Sequence, residues 1–388
     1  MSKTTFHPPH SKPTILQVLP SLGTGGMEIG TGMIAQAISK AGWRSLIVCA
    51  QPNKTLQKPG VDYIDLPLRT KNPFQMIKNI FLLKKLIARE NVDIVHARSR
   101  GPAWSAYYAT RSLNIPFVTT YHAAYNSRSQ LKTWYNSVMA RGDRVIAISH
   151  FIEKHILSKY KRCSWFDPKK LRLVERGIDL TVYDPQTVSQ ERMERTQKLW
   201  GIEANKRLLL LPGRITRGKG HKTLIEALSL LKDKDVDLII VGSDHKHEDY
   251  RESLLAYADS LGLGKRVKWM PPAPDLSAAY KLADIIVCPS RVPEGFGRVV
   301  AEAQAMEKPI IVSAHGAAPE VMEEGVTGWT FPPEKAQALA QVLEKALGLS
   351  SKALAEIGKK GRKRVQEKYD EHLMEAKTIA VYKELLRG

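Results

Sequence analysis

The chain has 388 residues, 43% of them hydrophobic and 25% charged, with 59 Lys and Arg against 39 Asp and Glu. That length favours two hydrophobic cores over one, and the ordinary globular balance, without short repeats, excludes a low-complexity chain. The net charge of +20 favours polyanionic partners, but the basic residues are dispersed and no RNP-like or zinc-finger spacing accompanies them, so nucleic acid is excluded in favour of an anionic membrane surface or an anionic substrate.

Residues 1–13 lack the apolar centre of a signal peptide, and apolar runs such as 208–212 and 285–288 are far shorter than a membrane span. Cys49, Cys163 and Cys288 have no paired spacing and read as reduced thiols of a cytoplasmic protein. Strand-length apolar runs occur at 15–19, 46–50, 94–96, 117–120 and 145–149, then again at 208–212, 238–242, 267–270, 285–290 and 310–313. Helical patterns fall between them, at 73–91, 221–232 and 298–306 among others, and 370–386 is helical in pattern too. This alternation predicts an α/β chain of two doubly wound, Rossmann-like domains with parallel sheets, facing each other across a cleft. The expected division is 1–183, with 370–388 returning to it, a polar linker or helix over 184–205, and a second domain over 206–369. In such sheets ligands sit beyond the carboxyl ends of the strands, so the informative motifs are those that follow strands.

The first of these is "PSLGTGGMEIGTG" (20–32), with five glycines in thirteen residues. A dinucleotide fingerprint fails here: from Gly23 and Gly25 the third glycine position is Glu28, and the second strand run ends in Gln51 instead of an acidic residue. Glycines before a helix still let backbone N–H groups approach an anion, so the stretch reads as a phosphate- or sugar-facing loop. The second is "LPGRITRGKGHKTLIEAL" (211–228), where Arg214 and Lys219 flank Arg217 on a glycine-punctuated loop. A guanidinium and an ammonium held there stabilise the charge that grows on a departing nucleotide diphosphate without a metal.

The third is "PSRVPEGFGRVVAEAQAMEKPIIVSAHGAAPEVMEEGVTGWTF" (289–331). Glu294 stands at an expected helix start and Glu302 roughly two turns inside it, a spacing of about 10 Å. Carboxylates accept hydrogen bonds from vicinal hydroxyls, so the pair suits the ribose and hexose of one nucleotide sugar, with the Phe296 and Gly297 amides on phosphate. Two other polar groupings read as decoys. Asp235-Val-Asp237 precedes its strand and so lies at the wrong end of the sheet for a metal, and the "SDHKHED" loop (243–249) reads as a plain polar loop. Residues 74–89 alternate apolar positions with Lys78, Lys84, Lys85 and Arg89, as in a core helix with a solvated face. The alternative is a basic face on anionic lipid.

These residues resemble the retaining nucleotide-sugar glycosyltransferases of family 4, which have the GT-B fold. "EGFGRVVAEA" resembles the family's E-x7-E element, "GRITRGKG" its diphosphate-binding Arg and Lys, and "LGTGGME" its N-terminal glycine loop. "VTTYHAAYN" places His122 at the family's active-site histidine. "VERGID" resembles the domain-closing segment, with Glu175 and Arg176 where the family commonly has Pro-Asn. "DIVHARSRGPAWSAYYA" (93–109) resembles the enzymes of bacterial surface polysaccharide and lipopolysaccharide.

The resemblance implies a role for each matching residue. Glu302 would hold the ribose, Glu294 with the Phe296 and Gly297 amides the donor sugar, Arg214 and Lys219 the diphosphate, and Gly25 and Gly26 a phosphate or the acceptor. His122 would touch the sugar near the reacting carbon. The implied activity is retaining transfer from a nucleotide-diphosphate sugar, with no metal or cofactor, to a saccharide or lipid-linked acceptor at the inner face of the membrane. Basic residues of the first domain, Arg98 and Arg100 with Arg128 and Lys132, are expected to favour an anionic acceptor. The competing readings are a nucleotide-sugar 2-epimerase of the same architecture and a non-catalytic sugar- or polyanion-binding protein.

Overall fold

The computed structural model describes residues 12–387 apart from positions 24, 126, 128, 204, 205, 233, 234 and 274, so Arg128 lies outside the described residues. The chain forms two units, divided at Arg176/Gly177 and again at Glu371/His372. In the first, β1 (Thr14–Ser21), β2 (Arg44–Ala50), β3 (Asp62–Asp65), β4 (Ile94–Ala97), β5 (Phe117–Tyr121), β6 (Arg144–Ala147) and β7 (Leu171–Leu173) form one parallel sheet in the order β3-β2-β1-β4-β5-β6-β7. In the second, β8 (Arg207–Pro212), β9 (Val236–Val241), β10 (Val267–Met270), β11 (Ile285–Cys288), β12 (Ile310–Ser313) and β13 (Gly328–Phe331) form another, in the order β10-β9-β8-β11-β12-β13.

The central strands are continuous apolar runs because helices cover both faces of a parallel sheet. β4, β5, β9, β11 and β12 are buried along their whole length. In each sheet the chain winds outward, then returns beside its first strand. The points of reversal are β1/β4 and β8/β11. Loops leaving the carboxyl ends of these strands therefore line a ready-made ligand crevice in each unit.

Residues 184–205, expected as a polar linker or helix, carry the helix Gln190–Trp200 and group with the second unit. The helix Gln190–Trp200 starts on the Ser189 side chain, which accepts from Arg192 N. Arg192 then grips Asp275 with two hydrogen bonds, Nε to Oδ2 at 2.6 Å and Nη2 to Oδ1 at 2.8 Å. From His372 the chain rejoins the first unit through the helix Glu371–Leu386. Met374, Val381 and Tyr382 of that helix share a core with Ile15, Ile34 and Ile38. Its Glu384 accepts from Arg144 Nε and Arg172 Nη2, both at 2.7 Å, and the Arg172 bond leads in holding this carboxyl down to about 2.

Candidate functional site

The loop between β8 and the helix His221–Ser229 carries Gly213, Arg214 and the 3-10 turn Arg217–Lys219. The loop after β11 carries Ser290 and Glu294 and ends at the helix Arg298–Ala305. The two loops are stitched together: Arg291 N donates to Gly218 O at 2.8 Å. Gly220 has φ +76, and a Cβ there would lie 1.8 Å from the Pro289 carbonyl oxygen, so only glycine lets the loops meet this closely.

Lys219 and Glu294 meet at that junction, with Nζ donating to Oε1 at 2.6 Å. Ser290 Oγ donates to the same oxygen at 2.5 Å. Burial, the largest single influence, would push the Glu294 carboxyl up, but the charge of Lys219 together with the hydrogen bonds from Lys219, Ser290 and Cys288 holds the group below its ordinary value. Burial likewise opposes the Lys219 ammonium, and Glu294 more than restores it. Cys288, beneath the pair, is pushed up to about 12 by burial and by Glu294, so it stays a thiol. Arg214 is exposed on the same loop, and Arg217 lies over the Tyr250 ring, 4.9 Å from its centroid.

Glu294 lies in the loop, not in the helix, which corrects its expected position at a helix start. Gly297, at φ +96, turns the chain at that point, and the helix begins at Arg298. Gly297 offers no side-chain cap, which leaves first-turn N–H groups for a ligand, while Phe296 is buried against Tyr369. Glu302, inside the helix, is only 5% exposed. Its Oε1 accepts from Arg298 Nη2 at 2.7 Å and its Oε2 from the Tyr280 hydroxyl at 2.9 Å. Burial first, and Glu302 second, keep the Tyr280 phenol far above its ordinary value, so it keeps its proton and donates it to Glu302.

Several supports of this site escaped the sequence reading. His315 Nε2 lies 2.7 Å from Ser290 O, and Ala317 N donates to Glu294 O at 2.9 Å, so the loop after β12 braces the Glu294 backbone. Tyr280 and Arg298 hold Glu302. Arg298 sits one turn from Glu302 at i,i+4, a spacing visible in the sequence, whereas Tyr280 arrives from a different helix. Asp237, at the start of β9, is buried near Lys206 and Lys268, and Asp244 is bound by Arg251.

His221 opens the helix beyond Lys219 and is pulled down to about 4, chiefly by burial, against a smaller opposing contribution from the Thr216 backbone. An unfolded histidine takes its proton near pH 6.5, so the unfolded state binds more protons and stability falls as pH drops. The expected loss at this one side chain is roughly 3 kcal/mol between about pH 6.5 and 4. Denaturant melts of His221→Gln beside the parent protein measure it: the variant should lose less stability over that window, and equal losses would disprove the assignment.

In the first unit, Gly25 is the N-cap of the helix Gly26–Lys40 and has no side-chain cap, which leaves first-turn amides open. A Cβ at Gly25 would lie 2.5 Å from Glu28 Oε2, so the carboxylate of Glu28 occupies the space that the glycine leaves. Beyond β4, Arg98 is 3% exposed and donates to Thr31 Oγ1 at 3.2 Å. Burial draws its guanidinium down to about 10. Arg100 donates to Asn136 Oδ1 at 2.7 Å and lies over the Tyr125 ring at 4.1 Å. His122 follows β5, and both its ring nitrogens are buried with no hydrogen-bond partner among the described residues. Burial, reinforced by Arg98, keeps its imidazole neutral. A neutral ring with an open donor and an open acceptor is suited to a ligand hydroxyl.

Two parallel sheets wound in this order, with polar loops gathered at each reversal, define a protein of the GT-B class. Residues 192–364 match the family of glycosyl transferases group 1, and residues 24–182 match glycosyltransferase family 4. The crystal structure of a glycosyltransferase from Rickettsia africae ESF-5 is 35% identical, with a TM-score of 0.89 over 98% of this chain and 100% of that one. The D-inositol 3-phosphate glycosyltransferase of Corynebacterium glutamicum (strain R) is 33% identical over 188 residues, 46% of this chain, and the match spans 44% of that protein's length. Anabaena Alr3699/HepE in complex with UDP-glucose shares the fold, at 22% identity and a TM-score of 0.82 over 97% of this chain and 100% of that one. The chain belongs to the family 4 glycosyltransferases.

Proposed function

We propose that the protein transfers a sugar, with retention of anomeric configuration and without a metal, from a nucleotide-diphosphate donor to a saccharide or lipid-linked acceptor of a bacterial surface glycan, working in the cytoplasm at the membrane's inner face. The observation that carries this reading is the Lys219–Glu294 pair, half-buried at the β8/β11 reversal with Arg214 on the same loop. A diphosphate meets two cations there, and a sugar hydroxyl meets a carboxylate that stays ionised. Glu302 would receive the ribose, the Phe296 and Gly297 amides the phosphate or sugar, and His122 the sugar near its reacting carbon. Gly25 and Gly26 would bring helix amides to the phosphate or the acceptor, and Arg98 and Arg100 would favour an anionic acceptor.

In the transfer, the bond from the anomeric carbon to the diphosphate oxygen breaks as the bond to the acceptor oxygen forms on the same face. The acceptor's proton passes to the departing phosphate oxygen. Catalysis is then positioning plus stabilisation of the leaving group. UDP-glucose is the first donor to test, because HepE is in complex with it. With a panel of nucleotide sugars and acceptors, activity should survive EDTA, and NMR of the product should show the donor's anomeric configuration. Loss of activity in EDTA with rescue by Mg²⁺ or Mn²⁺ would overturn the metal-free reading. Epimerised donor without transfer would favour the epimerase.

A further inference from the structure

The helix Pro73–Arg89 is anchored by Asn72, which accepts from Phe74 N, and buries Asn79, Leu83, Leu86 and Ile87. Its outward face is not simply solvated. Phe74 is 83% exposed, Ile77 54% and Phe81 65%, and Lys78 and Lys85 follow the two phenylalanines at i+4 on that same face. The face continues into a groove of about 690 Å³ toward the helices Arg100–Leu113 and Gln130–Ser137. Leu131, 74% exposed, and Trp134, 51% exposed, line that groove, with Lys71 and Lys132 among its other lining residues. Trp134 stacks on Trp104 at 4.5 Å between centroids, which holds the indole rigidly at the groove.

Large apolar side chains this exposed, gathered on one face, mark a contact surface. Their lysine neighbours name the partner. Lysines can rest their stems along an apolar layer while their ammonium groups reach anionic headgroups, and tryptophan favours the same boundary. Among the described residues no helix is long and apolar enough to cross a membrane, so the contact is interfacial. We infer that this face docks the protein onto an anionic bilayer, with Phe74, Phe81, Leu131 and Trp134 entering the boundary between headgroups and acyl chains. The inference deepens the lipid-linked-acceptor reading and rests on it for its purpose, but its physical basis is separate from the donor site.

The test is co-sedimentation of the full chain with vesicles of phosphatidylcholine alone or mixed with phosphatidylglycerol. The parent protein should bind the mixed vesicles, less so as salt rises, and should ignore the neutral ones. Phe74→Glu/Phe81→Glu should weaken binding at least roughly tenfold, and Lys78→Glu/Lys85→Glu should abolish the preference for anionic lipid. Leu199→Glu, at an exposed leucine of the second unit, should change nothing. Absence of vesicle binding by the parent protein, or parental binding by the Phe double variant, overturns the inference. So does a dimer in light scattering that the Phe double variant abolishes, which would give the face to a second copy. UDP-sugar turnover on a soluble acceptor, measured in parallel, reports the acceptor reading separately: vesicle binding alongside transfer to soluble saccharides only would fail that reading and leave this one standing.

Discussion

Replacing Lys219 by methionine is expected to lower kcat by about 100- to 1000-fold, the usual effect of removing one preorganised donor from a developing anion. Methionine keeps most of the stem and removes the charge. In the folded protein Lys219 neutralises Glu294 at 2.6 Å, and Arg214 on the same loop is free to turn toward a diphosphate. The bond that breaks in the transfer leaves its electrons on that diphosphate. A fixed ammonium is worth more to the transition state than to the bound donor, so the loss should fall on kcat more than on KM. A kcat within about threefold of the parent's would remove Lys219 from the leaving-group site.

The same substitution carries a stability signature with a definite pH window. Glu294 is held below its ordinary value, so its contribution is present above the unfolded carboxylate's titration and is lost as pH falls through the folded one, below about pH 4. Lys219 is held above its ordinary value, so its contribution is present below about pH 10 and is lost only as pH rises beyond that. The stability gap between parent and Lys219→Met should therefore be widest toward neutral pH and close in acid, because Glu294, pushed up by burial once Lys219 is gone, takes a proton first in the variant and then in the parent. Chemical denaturation at several pH values measures the gap, and a gap unchanged in acid would show that it comes from packing alone.

What was legible in the chain follows from its physics. The central strands were visible because burial on both faces writes them as unbroken apolar runs, such as "LLLLP" before the Arg214 loop and "IIVC" before the Glu294 loop. The missed strands are all at sheet edges: β3 "DYID", β7 "LRL" and β13 "GWTF". Each has only three or four residues, too few for a periodic signal, and β3 and β7 are partly solvated besides. The residues proposed for the donor stood out because glycines and charges directly follow those runs. Their supports did not. Tyr280 and His315 reach Glu302 and Ser290 from other elements, and no local spacing announces a contact made by tertiary packing. Arg98 was expected to favour an anionic acceptor, yet the helix Gly26–Lys40 supplies Thr31 and leaves it almost wholly buried. A one-letter charge does not say which side of a helix it lies beneath.

Glu302→Gln is expected to weaken binding of free UDP at least about tenfold by calorimetry, because a hydrogen bond to an ionised group is worth about 1.5–3 kcal/mol. The structure sets a rival account that the experiment must separate. Both Glu302 oxygens already have partners, Arg298 Nη2 at 2.7 Å and the Tyr280 hydroxyl at 2.9 Å. Removing the charge strands a guanidinium in a largely buried site, and breaking one partner of such a pair costs about 3–5 kcal/mol, toward the low end here because Arg298 keeps 26% of its side chain in solvent. A lower Tm is thus expected on either account and decides nothing. Affinity does decide, measured well below the melting transition, with Arg298→Ala as the companion. If Glu302 grips the ribose, Glu302→Gln loses UDP affinity, whereas Arg298→Ala, which frees a carboxylate oxygen for the nucleotide, keeps it or gains. If Glu302 only clamps Arg298 and Tyr280, both variants lose stability and folded Glu302→Gln binds UDP like the parent, which would take the ribose away from this residue.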